Sequence, residues 1–109
     1  MGDANIFSAI PSVLPDELFE VLAEGRAFTL ERIVSQGHAT PAGQWYDQSR
    51  DEWVILLKGG AGLLLAGEDE VRVLTPGDYI HLPAHLKHRV EWTDAETIWL
   101  ALHFDPKAT

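Results

Sequence analysis

The stretch Thr75-Pro76-Gly77-Asp78-Tyr79-Ile80-His81-Leu82-Pro83-Ala84-His85-Leu86-Lys87-His88-Arg89-Val90-Glu91-Trp92-Thr93 decides how the rest of the chain is read. A turn signal at Pro76-Gly77-Asp78 opens a short strand over 79–82. Pro83 breaks it, and a second strand follows over 87–93. That second strand alternates: His88, Val90 and Trp92 fall on one face, and Lys87, Arg89, Glu91 and Thr93 on the other. His88 therefore shares its side with apolar residues and is expected to look into a core. A lone inward histidine is more often a packed, hydrogen-bonded core residue than a ligand. What gives His88 a second reading is a carboxylate elsewhere, at Glu52.

Working outward, the strand pattern continues on both sides. Residues 28–35 alternate and are rich in β-formers. Residues 37–43, with Pro41, read as a loop, and 44–48 as a short strand. Residues 52–58 form a firm strand, broken by Gly59-Gly60. The segments 61–66 and 70–74 make a hairpin across Gly67-Glu68-Asp69, and 97–104 is the last strand. Short strands with turns every few residues indicate an all-β sandwich or small barrel. Before them, Pro15-Asp16-Glu17 reads as a helix start, Leu14, Leu18, Val21 and Leu22 as its apolar stripe, and Gly25 as its end. The expected organisation is an N-terminal arm and helix packing on the barrel over 1–27, the barrel over 28–104 and a frayed tail over 105–109.

Two strands are apolar on both faces. Trp53, Ile55 and Leu57 stand opposite Val54 and Leu56, and Trp99 and Ala101, with His103, stand opposite Ile98, Leu100, Leu102 and Phe104. An outer sheet face is polar unless something covers it. The N-terminal helix covers one such face in this reading, and a second subunit the other, so a homodimer is expected.

The chain has 109 residues, which suits one domain with a modest core. It has no cysteine, which excludes disulfides, thiolate metal sites and a cysteine nucleophile. With 17 Asp+Glu against 8 Lys+Arg and a net charge of −9, it lacks the basic face that a phosphate-backbone binder needs. Nucleic acid is not an expected partner. No apolar run approaches the roughly 20 residues of a membrane span, so no membrane partner is expected. No basic, then apolar, leader pattern opens the sequence, and the expectation is a cytoplasmic protein. No serine lies in a nucleophile elbow, and no glycine loop reads as phosphate-binding.

Glu52 shares a face with Val54 and Leu56, so it too is expected to point inward. A carboxylate there is costly unless it is paired or coordinates a metal; the bland reading is a hydrated strand mouth. Together Glu52 and His88 suggest a pocket floor. Imidazole plus carboxylate suits a divalent first-row metal such as Zn, Mn, Fe, Ni or Cu. Among the other histidines, His81 is expected to face away from Ile80 and Leu82. His85 follows Pro83, where parity fails, and is a candidate acid/base at the rim. His103 completes the pocket if its face lines the barrel, and His38 lies in a loop. Trp92 is expected inside with His88. Trp45 or Tyr46 could wall the pocket and give a planar small molecule a stacking surface. Arg50 and Arg89 are candidates for binding a carboxylate.

At these residues the chain resembles the cupins. Glu52, six residues and Gly59 match the end of the first cupin motif. Gly77, five residues and Pro83-Ala84-His85-Leu86-Lys87-His88 match most of the second, and the likeness runs over about 33–104. Within the RmlC-like cupins it looks most like small single-domain members with a Trp-Tyr-Asp-Gln and Asp-Glu-Trp signature, here Trp45-Tyr46-Asp47-Gln48 and Asp51-Glu52-Trp53. The resemblance implies a double-stranded β-helix with a metal inside, Glu52 and His88 standing at the motif's ligand positions. The two first-motif histidines are absent. Their slots hold Tyr46 and Gln48, or Trp45 and Asp47, so Asp47 or Gln48 is the candidate to complete the metal site. His85 stands where many cupins have glycine, and Trp92 where asparagine is usual. Three functions follow from the resemblance: a metal-dependent enzyme acting on a small organic molecule, a non-catalytic small-molecule sensing or binding module, or a metal-free cupin whose Glu52 and His88 form an epimerase- or isomerase-like acid–base site.

Overall fold

The structure, a computed structural model, describes residues 4–106. Its strands are β1 (Leu18–Glu24), β2 (Phe28–Ser35), β3 (Asp51–Lys58), β4 (Ala61–Leu65), β5 (Arg72–Leu74), β6 (Tyr79–Leu82), β7 (His88–Thr93) and β8 (Thr97–Phe104). They form a five-stranded sheet in the order β1-β2-β8-β3-β6 and a three-stranded sheet in the order β5-β4-β7. Among the described residues every strand pairing is antiparallel. The result is the double-stranded β-helix; the strand pattern led us to expect an all-β sandwich or barrel, and the resemblance to cupins this particular form.

Each strand turns its apolar side to the space between the sheets. From the larger sheet Ile33, Val54, Leu56, Leu82, Trp99 and Ala101 are buried there. From the smaller sheet Ala61, Leu63, Leu65 and Leu74 meet them. A core of this kind is held mainly by removing apolar area from water, at about 25 cal/mol per Å². The turn before β6 is built as its sequence demands. Gly77 takes φ +97°, a left-handed value that disfavours side chains, while the Asp78 carboxylate accepts the Thr75 N–H at 2.8 Å.

Three expectations need correction. Among the described residues there is no helix, and the expected N-terminal helix is strand β1, paired along β2 from Leu18↔Val34 to Glu24↔Thr29 with a break between Val21 and Ala23. Leu18, Val21 and Leu22 fit a helical stripe, but the free edge of β2 offers a full row of backbone partners, and tertiary pairing overrides a weak local preference. Residues 44–48 do not form a strand of their own. They contribute one isolated bridge, Tyr46↔His88. Trp92 does not follow His88 inward. Gly62 pairs with Trp92 but Leu63 with Val90, so Glu91 is an extra residue and β7 bulges there. Past the bulge parity inverts: Thr93 is buried and Trp92 lies outside, 38% exposed. Its indole lies against Gly62, where a Cβ would collide with it.

The arm before β1 is fastened to the outer face of the large sheet. Arg32, buried on that face, donates to the carbonyls of Ile6 and Ser8 and pairs with Glu20 at 2.6 Å. Asp105 is held too, its N–H to the Ala27 carbonyl at 2.9 Å and its carboxylate to Arg50. The remainder of the expected frayed tail, from 107, lies outside the described residues.

Candidate functional site

Between the sheets lies a chamber of about 270 Å³, mostly apolar, with its polar groups gathered at one end. β3 places Glu52 there, because Val54 and Leu56 on the same face are core residues. β8 places His103 there for the same reason, through Ala101 and Trp99. Glu52 and His103 are direct cross-strand partners, so their side chains are neighbours on one face. β2 adds Glu31 by parity with Ile33. From the opposite sheet comes His88, the first residue of β7.

Tyr46 is bolted to this end by its backbone. Its N–H donates to the His88 carbonyl at 2.8 Å and its carbonyl accepts the His88 N–H at 3.1 Å. The two rings stack, with centroids 5.5 Å apart. Gln48 and Glu17 also line the chamber.

Four titratable groups thus form two imidazole–carboxylate pairs. His103 Nε2 lies 2.8 Å from Glu31 Oε1. His88 Nε2 lies 3.7 Å from Glu52 Oε1, beyond hydrogen-bond reach. The other ring nitrogen of His88 is 3.0 Å from the Leu86 carbonyl. A carbonyl only accepts, so Nδ1 carries a proton. In the neutral ring Nε2 is then a bare acceptor facing Glu52. Burial pushes the Glu52 carboxyl above its usual range. The His103 and His88 imidazoles pull it partly back, and Glu31 adds to the rise. Burial also raises the Tyr46 hydroxyl, helped by Glu17 and Glu52, so it stays a protonated donor. Trp99, 4% exposed on the chamber wall, has an indole N–H with no partner among the described residues.

The other candidates from the sequence sit elsewhere. Asp47 and Gln48 separate: Gln48 faces the chamber, while Asp47 turns out and pairs with His85 Nδ1 at 2.9 Å. His85 is exposed on the rim, with φ 66°, and does not line the chamber. Trp45 is outside, under the Arg89 guanidinium at 5.7 Å. Arg89 donates to the carbonyls of Gln44 and Thr40, and Arg50 ties Asp105, Thr29 and Arg26 together. His81 faces outward and pairs with Asp51 at 3.0 Å. His38 holds its loop, against the Gln36 N–H and the Pro15 carbonyl. Glu31 and Glu17 were missed by sequence reasoning. The parity of Glu31 with Ile33 was the available signal for the first, whereas Glu17 precedes β1 and carries no periodic signal.

These donors do not compose a transition-metal site of the expected kind. Such a site takes three or four protein ligands, and among the described residues no three His, Asp or Glu come together to hold an ion. Glu52 and His88 remain as a pair, with the Gln48 amide as the nearest neutral addition.

The arrangement has counterparts. The family model for the cupin domain matches residues 31–103. The chain is a cupin. Its β-helix superposes on a crystal structure from Ralstonia eutropha JMP134, whose name, mannose-6-phosphate isomerase, is provisional. The TM-score is 0.93 at 46% identity, covering 97% of this cupin and 100% of that chain. Two more distant cupin-fold structures show the fold alone. One is a cupin superfamily protein from Desulfitobacterium hafniense DCB-2, with a TM-score of 0.74, 18% identity and coverage of 89% of this chain and 84% of that one. The other is KdgF from Halomonas sp., with a TM-score of 0.71, 19% identity and coverage of 89% and 87%. No curated protein matches the chain.

Proposed function

We propose that this cupin is a small-molecule enzyme of the proton-transfer class, with an isomerase-like acid–base site at the polar end of the chamber. The observation that carries this reading is the facing of His88 Nε2 and Glu52 Oε1 across 3.7 Å. At that separation the two do not bond each other, so each is free to meet a ligand atom that lies beside the pair, on the chamber side. His88, its Nδ1 proton committed to the Leu86 carbonyl, is the base. Glu52, whose carboxyl burial pushes above its ordinary range and so towards the protonated form, is the acid. His103–Glu31 and the Tyr46 hydroxyl supply donors beside them. Moving a proton between neighbouring carbons of a hydroxycarbonyl compound needs that equipment. The provisional name of the Ralstonia structure points to the same reaction type.

The test is hydrogen exchange. Aldoses and ketoses incubated with the cupin in deuterated water are expected to gain deuterium next to the carbonyl, or to interconvert. The metal reading gains the ground instead if no compound exchanges and the purified protein carries a stoichiometric metal lost on both Glu52→Ala and His88→Ala.

The homodimer expected from the sequence is proposed for the outer face of the five-stranded sheet. Leu100 and Leu102 of β8 pair there with Ile55 and Trp53 of β3, and Tyr79, 66% exposed, continues the patch. A molar mass from light scattering equal to one chain sinks it.

A further inference from the structure

We infer that the cupin chamber takes an uncharged polyhydroxy carbonyl compound and rejects its phosphate ester. This deepens the proton-transfer reading and rests on it for the location of the reacting end. The inference starts from the charge of the lining. Among the described residues the chamber wall carries Glu17, Glu31 and Glu52 and not one lysine or arginine.

The way out is no more welcoming to an anion. Beyond Glu31, Gln48 and His103 the chamber adjoins an open polar groove, which they share, together with Thr29, Ser49, Asp47 and Arg50. Among the described residues Arg50 is the one cation there, and its donors are already engaged. Its Nε is 2.9 Å from the Asp105 carboxylate, and its other nitrogens donate to Thr29 Oγ1 at 3.0 Å and the Arg26 carbonyl at 3.1 Å. With every group ionised, chamber and groove hold four carboxylates against this arginine. With Glu52 protonated and His88 neutral, as the acid and base roles require, three carboxylates remain against this arginine, and protonating His103 still leaves one negative charge in excess. A phosphoryl group would enter at close quarters to those carboxylates with no free cation to receive it.

What the lining does offer is neutral hydrogen bonding. The Trp99 indole N–H is buried with no partner among the described residues, and a buried unpaired donor is costly until something accepts from it. Tyr46 and Gln48 line the same chamber. Donors of this kind, over the apolar surfaces of Val54, Leu63 and Trp99, suit hydroxyl and carbonyl oxygens of a small neutral molecule. Discrimination is by repulsion against the charged analogue as much as by attraction to the neutral one.

The probes are matched pairs: mannose against mannose 6-phosphate, and fructose against fructose 6-phosphate. Binding is read from the tryptophan fluorescence of the full chain, and proton exchange separately in deuterated water. The neutral sugar is expected to bind at least about tenfold more tightly than its phosphate at low salt, with the ratio shrinking as ionic strength rises. Glu17→Lys, which places a cation on the wall, is expected to move the ratio towards the phosphate. Equal or tighter binding of the phosphate ester, or failure of both sugars of a pair to bind, overturns the inference. Neutral binding without exchange leaves it standing and removes the proton-transfer reading. Exchange on the phosphate alone does the reverse.

Discussion

Among the described residues there are four imidazole–carboxylate pairs, two inside the barrel and two on its outside. His88–Glu52 and His103–Glu31 have side chains between 7% and 18% exposed. His85–Asp47 and His81–Asp51 include imidazoles that are 71% and 50% exposed. The outer pairs are as short as one would draw them, 2.9 and 3.0 Å, yet water competes for every bond they make, and such pairs contribute about 0–1 kcal/mol. The inner His88–Glu52 pair is the longest of the four and is the one to which we assign the chemistry. Its groups are desolvated and held apart by two different sheets. Distance alone would have ranked the four wrongly; burial and the element that carries each group rank them.

The sharpest way to break that contrast is to remove members of each pair in turn. Glu52→Gln and His88→Ala are expected to lower the rate of proton exchange by about 10²–10⁴, the usual worth of a positioned acid or base. His81→Ala and His85→Ala are expected to leave it within roughly twofold, since surface changes away from the site are nearly neutral. His88→Ala also strips Tyr46 of its stacking partner, so Glu52→Gln is the cleaner arm. If the outer substitutions cost as much as the inner ones, the chamber is not where the chemistry occurs.

A smaller effect concerns stability against pH. The folded Glu52 carboxyl is raised, first by burial, above the 4.5 of a free glutamic side chain. Its contribution is therefore fully present below that ordinary value and is lost as pH rises through the folded one. Glu52→Gln cannot ionise. Its melting temperature relative to the native chain is thus expected to be near equality at pH 4 and higher by a few degrees at pH 8, on a scale of roughly 4–8 °C per kcal/mol. Asp51, on the outside, behaves oppositely. The Ala84 N–H, and then His81, hold its carboxyl below the usual range, so its contribution is present at neutral pH and is lost on acidification. A Glu52→Gln advantage that is the same at both pH values would show that burial does not raise this group.

Much of this was legible from period-two patterning, and the failures have physical causes. Glu52 and His103 are inward because each shares parity with core residues along its strand, and His88 because it shares parity with Val90 before the bulge. Trp92 broke the rule because Glu91 bulges out of β7, and no local feature of Arg89-Val90-Glu91-Trp92 announces an extra residue. β1 was misread because Leu18, Val21 and Leu22 satisfy helical spacing while the deciding partner, the edge of β2, lies a turn away along the chain. Asp47 and Gln48 could not be told apart because the segment joins the sheet through a single bridge at Tyr46, too short to carry a period. The open edge of β7 fixes its orientation instead.

The smallest effect expected is at His85, and it separates local strain from pairing. A non-glycine residue at φ 66° sits in the left-handed region at a cost of about 1–2 kcal/mol. The His85 N–H is held by the Gln48 carbonyl at 2.7 Å, which fixes the backbone whatever the side chain. His85→Gly relieves the strain and forfeits the exposed bond to Asp47, itself worth about 0–1 kcal/mol. The two terms nearly cancel, so the expected change lies between zero and a gain of about 1 kcal/mol in denaturant unfolding, whereas His85→Ala keeps the strain, loses the bond and falls slightly below the native chain. If glycine instead destabilises by 2 kcal/mol or more, the rim imidazole is holding the Tyr46–Gln48 segment over the chamber, and the outer pairs belong with the inner ones.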